Sequence, residues 1–288
     1  MRLLAQLSAM TLLLAQLGCH FCGDAHRSPK IAVFARYVHE ISRQRQIPIG
    51  QAASHLYDLG VRGFDTSYDD PGLSSLAATV LKPVNLYGRV PFLSQDQGAS
   101  VVEKFLSVAA KHGVPRVMVI PDGFTKGGDE EREFGRIVEG LQRMVAKAKS
   151  RGIEVMVEDV GGEAASPCNR LCYLKRFLAE IPDLRLALDT GNLYYARRGE
   201  DILELARHAS GRIEHVHIKD QLQDDCRTYS VLGLGGVPNR EIVRLIVGEG
   251  YDAWYTLENT AKGADVYEET ARQIAVLTLW YGDAISWR

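Results

Sequence analysis

Residues Arg116–Asp159 read RVMVIPDGFTKGGDEEREFGRIVEGLQRMVAKAKSRGIEVMVED: an apolar run, a helix-patterned stretch and a second apolar run. Arg116–Ile120 is short, rich in Val and Ile and preceded by Gly113 and Pro115, which marks a strand. In the middle, Phe134, Ile137, Val138, Leu141, Met144, Val145 and Ala148 fall at i, i+3, i+4, i+7, i+10, i+11 and i+14, one face of a helix. Asp129, Glu130 and Glu131 stand at its start and Lys147, Lys149 and Arg151 at its end, as the helix dipole prefers. Gly152 stops it, and Ile153–Asp159 is the next strand. Two apolar strands joined through one helix make a parallel βα unit.

The same unit recurs on both sides. Upstream, the expected strands are Ile31–Tyr37, Gly63–Ser67 and Val84–Val90; downstream they are Leu184–Asp189, Ile213–Lys219 and Trp254–Glu258. Helices are expected at Ile49–Leu59, Leu73–Leu81 and Val101–His112, the last opened by a Ser100/Glu103 capping box. Further helices are expected around Arg170–Ile181, Ile202–His208, Arg240–Val247 and Val266–Trp280. Eight βα repeats over about 250 residues are the size and rhythm of a single (β/α)8 TIM barrel. A doubly wound open sheet fits less well, because no G-x-G-x-x-G follows the first strand and no residues remain for a second domain.

The chain has 288 residues, 46% of them hydrophobic and 24% charged, and 34 basic residues nearly balance 36 acidic ones. A net charge of -2 excludes the electrostatic footprint of a nucleic-acid or anionic-membrane binder. Residues 1–29 form a leader and linker ahead of a barrel spanning 30–288. MRLLAQLSAMTLLLAQLG has one basic residue, an apolar run and a small residue before Cys19, the shape of a secretory signal. It is too short for a membrane span, and Cys19 is a candidate lipid anchor. Export to a periplasmic or lipoprotein location is expected on this basis, with a cytoplasmic one as the alternative. The five cysteines are odd in number and form no disulfide framework; Cys168 and Cys172 read as small buried hydrophobes on a helix.

In a TIM barrel the chemistry sits at the C-terminal ends of the strands. The last four strands end in Glu158-Asp159, Asp189-Thr190-Gly191-Asn192, His215-Val216-His217-Ile218-Lys219-Asp220 and Glu258-Asn259. Parity turns Glu158 inward with Met156, and Glu258 with Thr256. His215, His217 and Lys219 share a face, with the two histidines about 6.6 Å apart in depth. Two Glu, one Asp and one His at one height would repel unless a cation sat among them. The expected metal ligands are Glu158, Asp189, His217 and Glu258, and the donor set suits one divalent ion, Mn²⁺, Mg²⁺, Co²⁺ or Zn²⁺. His215 lies one layer down, as a core histidine or a support. Lys219 faces the mouth, either to stabilise oxyanion charge or to pair with a strand-end acid.

These motifs, with Gly250-Tyr251-Asp252 before the last strand, resemble the xylose isomerase-like TIM barrels of the sugar phosphate isomerase/epimerase superfamily, in order and spacing across roughly residues 30–280. The resemblance implies a divalent metal held by the four residues named, with Glu158 and Glu258 as catalytic groups flanking the substrate. It places Asn192 where ketose 3-epimerases carry a substrate-contacting His, so Asn192, Lys219 and His215 are the candidate substrate-side residues. Three departures stand out: Glu158-Asp159-Val160 where many relatives have Glu-Asn-His, Gly233-Leu234-Gly235 where Gly-Glu-Gly is common, and Tyr68 about where the second strand usually ends in an acid.

The leading expectation is a metal-dependent isomerase or epimerase of a small carbohydrate, acting by proton abstraction beside a carbonyl through an enediolate. The alternative is a lyase or dehydratase on a keto-sugar, an inosose or a 3-keto-glycoside. An endonuclease IV-like phosphodiesterase would need further histidines on the early strands and a basic face. A non-catalytic carbohydrate binder would have no need of a complete ligand set. Loop Val38–Pro48, with Arg43 and Arg45, is a candidate substrate loop whose arginines otherwise face solvent.

Overall fold

The apolar runs pair side by side into a closed ring in the computed structural model, which describes residues 28–261 and 263–287. The strands are β1 (Lys30–Phe34), β2 (Val61–Ser67), β3 (Lys82–Val90), β4 (Arg116–Pro121), β5 (Glu154–Glu158), β6 (Arg185–Asp189), β7 (Ile213–Ile218), a two-residue pair β8 (Asp220–Gln221) and β9 (Tyr229–Ser230), and β10 (Trp254–Leu257). Ring order is β1-β10-β7-β6-β5-β4-β3-β2, all parallel, and β8 and β9 form a separate antiparallel arm above β7. The ring is a TIM barrel. The leader, its Cys19 anchor and the Cys19/Cys22 pair lie outside the described residues. No described helix is long and apolar enough to cross a membrane.

Helices α1 (Ala35–Arg45), α2 (Ile49–Asp58), α3 (Leu73–Ala77), α4 (Gln95–Lys111), α5 (Glu130–Lys149), α6 (Leu171–Glu180), α7 (Asn192–Tyr195), α8 (Gly199–His208), α9 (Asn239–Gly248) and α10 (Val266–Ser286) fill the connections. The periodic face of α5 is buried as its spacing predicts, and Asp129 caps it by accepting from Arg132 N at 3.1 Å. Strand faces divide cleanly. Val117, Val155, Leu186 and Val216 join the layer under the helices, whereas Met118, Met156 and Ala187 form a separate cluster with Tyr87. That second set marks the inward parity. The register then sets heights: Ala187 pairs with His215, Asp189 with His217, and Thr256 with His217.

Three local expectations are corrected. β1 ends at Phe34, and α1 begins at once, so most of Val38–Pro48 is helix. Arg43 pairs with Glu40 at 3.0 Å, and Arg45 lies 3.4 Å from Asp265 and 3.6 Å from Glu268, all at the surface, in keeping with the reading that these arginines face solvent. Helix α4 starts at Gln95, five residues before the expected cap, so Ser100 lies within it. A Cβ at Gly98 would crowd the Pro91 carbonyl, and the small residue lets the first turn of α4 press onto that backbone. Finally, Cys168 is buried in the 3-10 turn Pro167–Asn169, but Cys172 is exposed on α6.

Candidate metal centre

Strands β5, β6, β7 and β10 each deliver one acid or imidazole to the mouth. One ligand atom from each of Glu158, Asp189, His217 and Glu258 lies within 4.8 Å of all the others. Donors held about 2.1–2.3 Å from a single ion stand at most about 4.2–4.6 Å apart, so the donor set fits one divalent cation with slight contraction. Asp189 Oδ2 supports the fit: it is buried at the cluster, and in the metal-free protein a cation, the Lys219 ammonium, already lies 2.8 Å from it.

The segment Asp189–Asn192 is built around that carboxylate. Asp189 Oδ1 accepts from Gly191 N at 2.9 Å and Asn192 N at 2.8 Å, which turns the chain into α7 and leaves Oδ2 directed at the mouth. Asp189 N donates to Asp159 Oδ1 at 2.8 Å. Thr190 N donates to the His217 carbonyl at 3.0 Å and ties β6 to β7. Gly191 must be small, because a Cβ there would press on Cγ and Cε of Lys219. Asn192 donates to the Asp159 carbonyl at 2.7 Å and accepts from Lys219 Nζ at 3.0 Å.

His217 is nearly inaccessible. Its Nδ1 lies 2.6 Å from Glu158 Oε1 and its Nε2 lies 3.0 Å from Asp65 Oδ2. Burial disfavours an imidazolium, but the two carboxylates outweigh burial and hold its proton affinity well above the ordinary histidine range. Lys219 shows the same balance, with Asp189 and Glu258 overcoming burial and raising it. Glu258 Oε2 lies 2.9 Å from Lys219 Nζ, and that ammonium overcomes burial to lower the Glu258 carboxyl. Asp159 is different: burial pushes it up to about 8, and its Oδ2 has no hydrogen-bond partner. Beside the cluster, the Phe34 ring packs 4.9 Å from His217 and 5.4 Å from Tyr87. Arg36 lies over Phe34 and donates to Asn259 Oδ1 at 2.9 Å.

The structure thus brings together Glu158, Asp189, His217, Glu258, Lys219 and Asn192. His215 stands apart. It is fully buried one register step below His217, with Nε2 2.8 Å from both Thr256 Oγ1 and Asp65 Oδ2, and it presents no surface to the mouth. Asp65 is the functional candidate that strand-end reasoning passes over, because it lies inside β2 rather than at its end. Tyr68 turns outward and stacks on Phe105 at 4.5 Å, and the inward acid of this strand is Asp65. An acid two residues before the end of a strand, on the same face as Gly63 and Ser67, is the signal that marks it.

The profile of the xylose isomerase-like TIM barrel family matches residues 43–277, and the chain belongs to that family. Inosose dehydratase from Serratia proteamaculans is 25% identical over 161 residues, covering 47% of this chain and 53% of that one. The chain thus spans about half the length of the curated relatives it matches. Among solved structures, an L-ribulose 3-epimerase superposes with a TM-score of 0.71 at 18% identity, covering 90% of this chain and 96% of that one. A probable 3-DHS dehydratase involved in petrobactin synthesis, from Bacillus anthracis, gives 0.67 at 15% identity, covering 86% and 98%.

Proposed function

We propose that this chain is a divalent-metal-dependent enzyme that removes a proton from the carbon beside a carbonyl of a small polyhydroxylated substrate and then expels a β-hydroxyl as water. Glu158, Asp189, His217 and Glu258 hold the ion. When bound, it polarises the substrate carbonyl and makes the adjacent C–H more acidic. The observation that carries the reading is the pairing of Glu258 with Lys219 at 2.9 Å inside the four-donor cluster.

That pair supplies a base and an acid side by side. The Glu258 carboxylate takes the proton from carbon, and the C–H electrons become the new C=C bond. The C–O bond to the β-hydroxyl breaks, and Lys219 gives that oxygen a proton so that it leaves as water. Proton transfer from Glu258 to Lys219 across their contact restores both groups. Asn192 holds the ammonium from its other side. The curated relatives that match carry the name inosose dehydratase, which supports a cyclic polyol ketone as substrate class.

Isomerisation or epimerisation is the second reading, favoured by the presence of two carboxylates, Glu158 and Glu258, in one cluster. Either could return the proton to carbon on the opposite face. Incubation of the Mn²⁺-loaded protein with inososes, 3-keto-glycosides and ketoses in D₂O separates the two. An unsaturated ketone released with water supports the dehydratase, and a recovered epimer carrying deuterium supports the epimerase. No exchange with any of them, in a protein that binds the ion, would leave a carbohydrate binder.

A further inference from the structure

Asp65 is fully buried in the barrel interior, where an ionised carboxylate is costly unless it is well hydrogen-bonded. Its Oδ2 lies 2.8 Å from His215 Nε2 and 3.0 Å from His217 Nε2, and accepts from Asn85 Nδ2 at 3.0 Å. Asp65, His215 and His217 together resemble a second ligand cluster. The cluster shares His217 with the four-donor site, and its one carboxylate oxygen already faces three nitrogens, those of His215, His217 and Asn85. Strand β2 is three places round the ring from β7, so this contact spans the interior instead of following a strand pair.

A neutral imidazole carries one proton, and a carboxylate at one nitrogen selects the tautomer. His215 has a second partner in Thr256, whereas His217 Nε2 faces Asp65. The Phe34 ring covers one side of the His217 imidazole and restrains its rotation.

We infer that Asp65 is a positioning residue for His217: by accepting the Nε2 proton it leaves Nδ1, which faces Glu158 Oε1 at 2.6 Å, to ligate the bound cation. The inference rests on the reading of that cluster as a metal site and assigns the cross-barrel carboxylate its role there. Ligand-orienting partners of this kind are worth roughly ten- to hundred-fold in metal affinity.

The test is calorimetric titration of metal-free protein with Zn²⁺, joined to long-range ¹H–¹⁵N spectra of the histidines. Wild type should show His217 protonated at Nε2 when Zn²⁺ is bound. Asp65→Ala should bind Zn²⁺ roughly ten- to hundred-fold more weakly. Asp65→Asn, whose carbonyl still accepts the Nε2 proton, should recover most of that loss. A folded Asp65→Ala with wild-type affinity would overturn the inference while leaving the metal site intact. Wild-type His217 protonated at Nδ1 would do the same, and that spectrum decides the matter if Asp65→Ala does not fold. Wild-type protein that binds no divalent ion would instead sink the metal reading itself, and the inference with it.

Discussion

His217 Nδ1 lies 2.6 Å from Glu158 Oε1, although 59 positions separate the two residues in the chain. At that distance a proton is shared between them in the metal-free protein, and the cluster holds it well above the ordinary histidine range. A cation bound through the Nδ1 lone pair must displace it. Binding of Mn²⁺ at pH 7 is therefore expected to release at least one proton, since burial also raises the Asp189 carboxyl, and apparent affinity should rise with pH. Calorimetry in buffers of different ionisation enthalpy reads the number directly. A value near zero at pH 7 would mean that the imidazole is already neutral.

Lys219 compensates Asp189 and Glu258 in the metal-free protein. Replacing it by Met leaves two buried carboxylates facing each other, and loss of one partner of a buried pair costs about 3–5 kcal/mol. The metal-free Lys219→Met variant should melt several degrees lower, bind Mn²⁺ more tightly than wild type and recover stability when the ion is added. Turnover should fall about 10²–10⁴-fold if the ammonium is the acid. Wild-type turnover in this variant would remove Lys219 from the reaction.

Gly161 is packed against α7. A Cβ there would run into the carbonyl of Asn192, a backbone atom that cannot swing aside. Gly161→Ala should cost about 1–3 kcal/mol and shift Asn192 away from Lys219. The expected signature is reduced kcat/KM together with weaker Mn²⁺ affinity, because Asn192 N also holds Asp189 Oδ1 in place.

Glu269 carries a pH effect outside the metal cluster. It is 2% exposed, and its Oε1 accepts from Ala261 N at 2.8 Å and Gln273 Nε2 at 3.2 Å. Burial outweighs these bonds and raises its carboxyl. A raised folded value means that its stabilising contribution is full below the unfolded value of about 4.3 and is lost as pH rises through the folded one. Glu269→Gln keeps a carbonyl oxygen for Ala261 N and removes the charge. Relative to wild type it should be more stabilised at pH 7.5 than at pH 4.5, read as a larger difference in Tm at the higher pH. Equal shifts at both values would refute the assignment.

Much of this arrangement was legible before any coordinates. Parity along Ile213–Lys219 turns His215, His217 and Lys219 inward, and the register confirms Asp189 beside His217. Strand ends were easy to read because an acid after an apolar run breaks a local pattern. The α1 boundary was not, since IAVFARYV continues apolar through the turn from strand to helix. Asp65 was hidden for another reason: its partners are 150 and 152 residues away, on a strand that is not its neighbour.

By itself, then, the sequence determined the alternation of strands and helices and the inward face of the late strands, and it named four residues as candidate ligands, because those follow from periods of 2.0 and 3.6 residues and from chain order. Only the tertiary structure decided which atom meets which. Glu158 and Asp65 take opposite nitrogens of His217, and Lys219 stands between Asp189 and Glu258. Such distances are set by ring closure and by the stagger between strands, and neither is written in any local stretch of the chain.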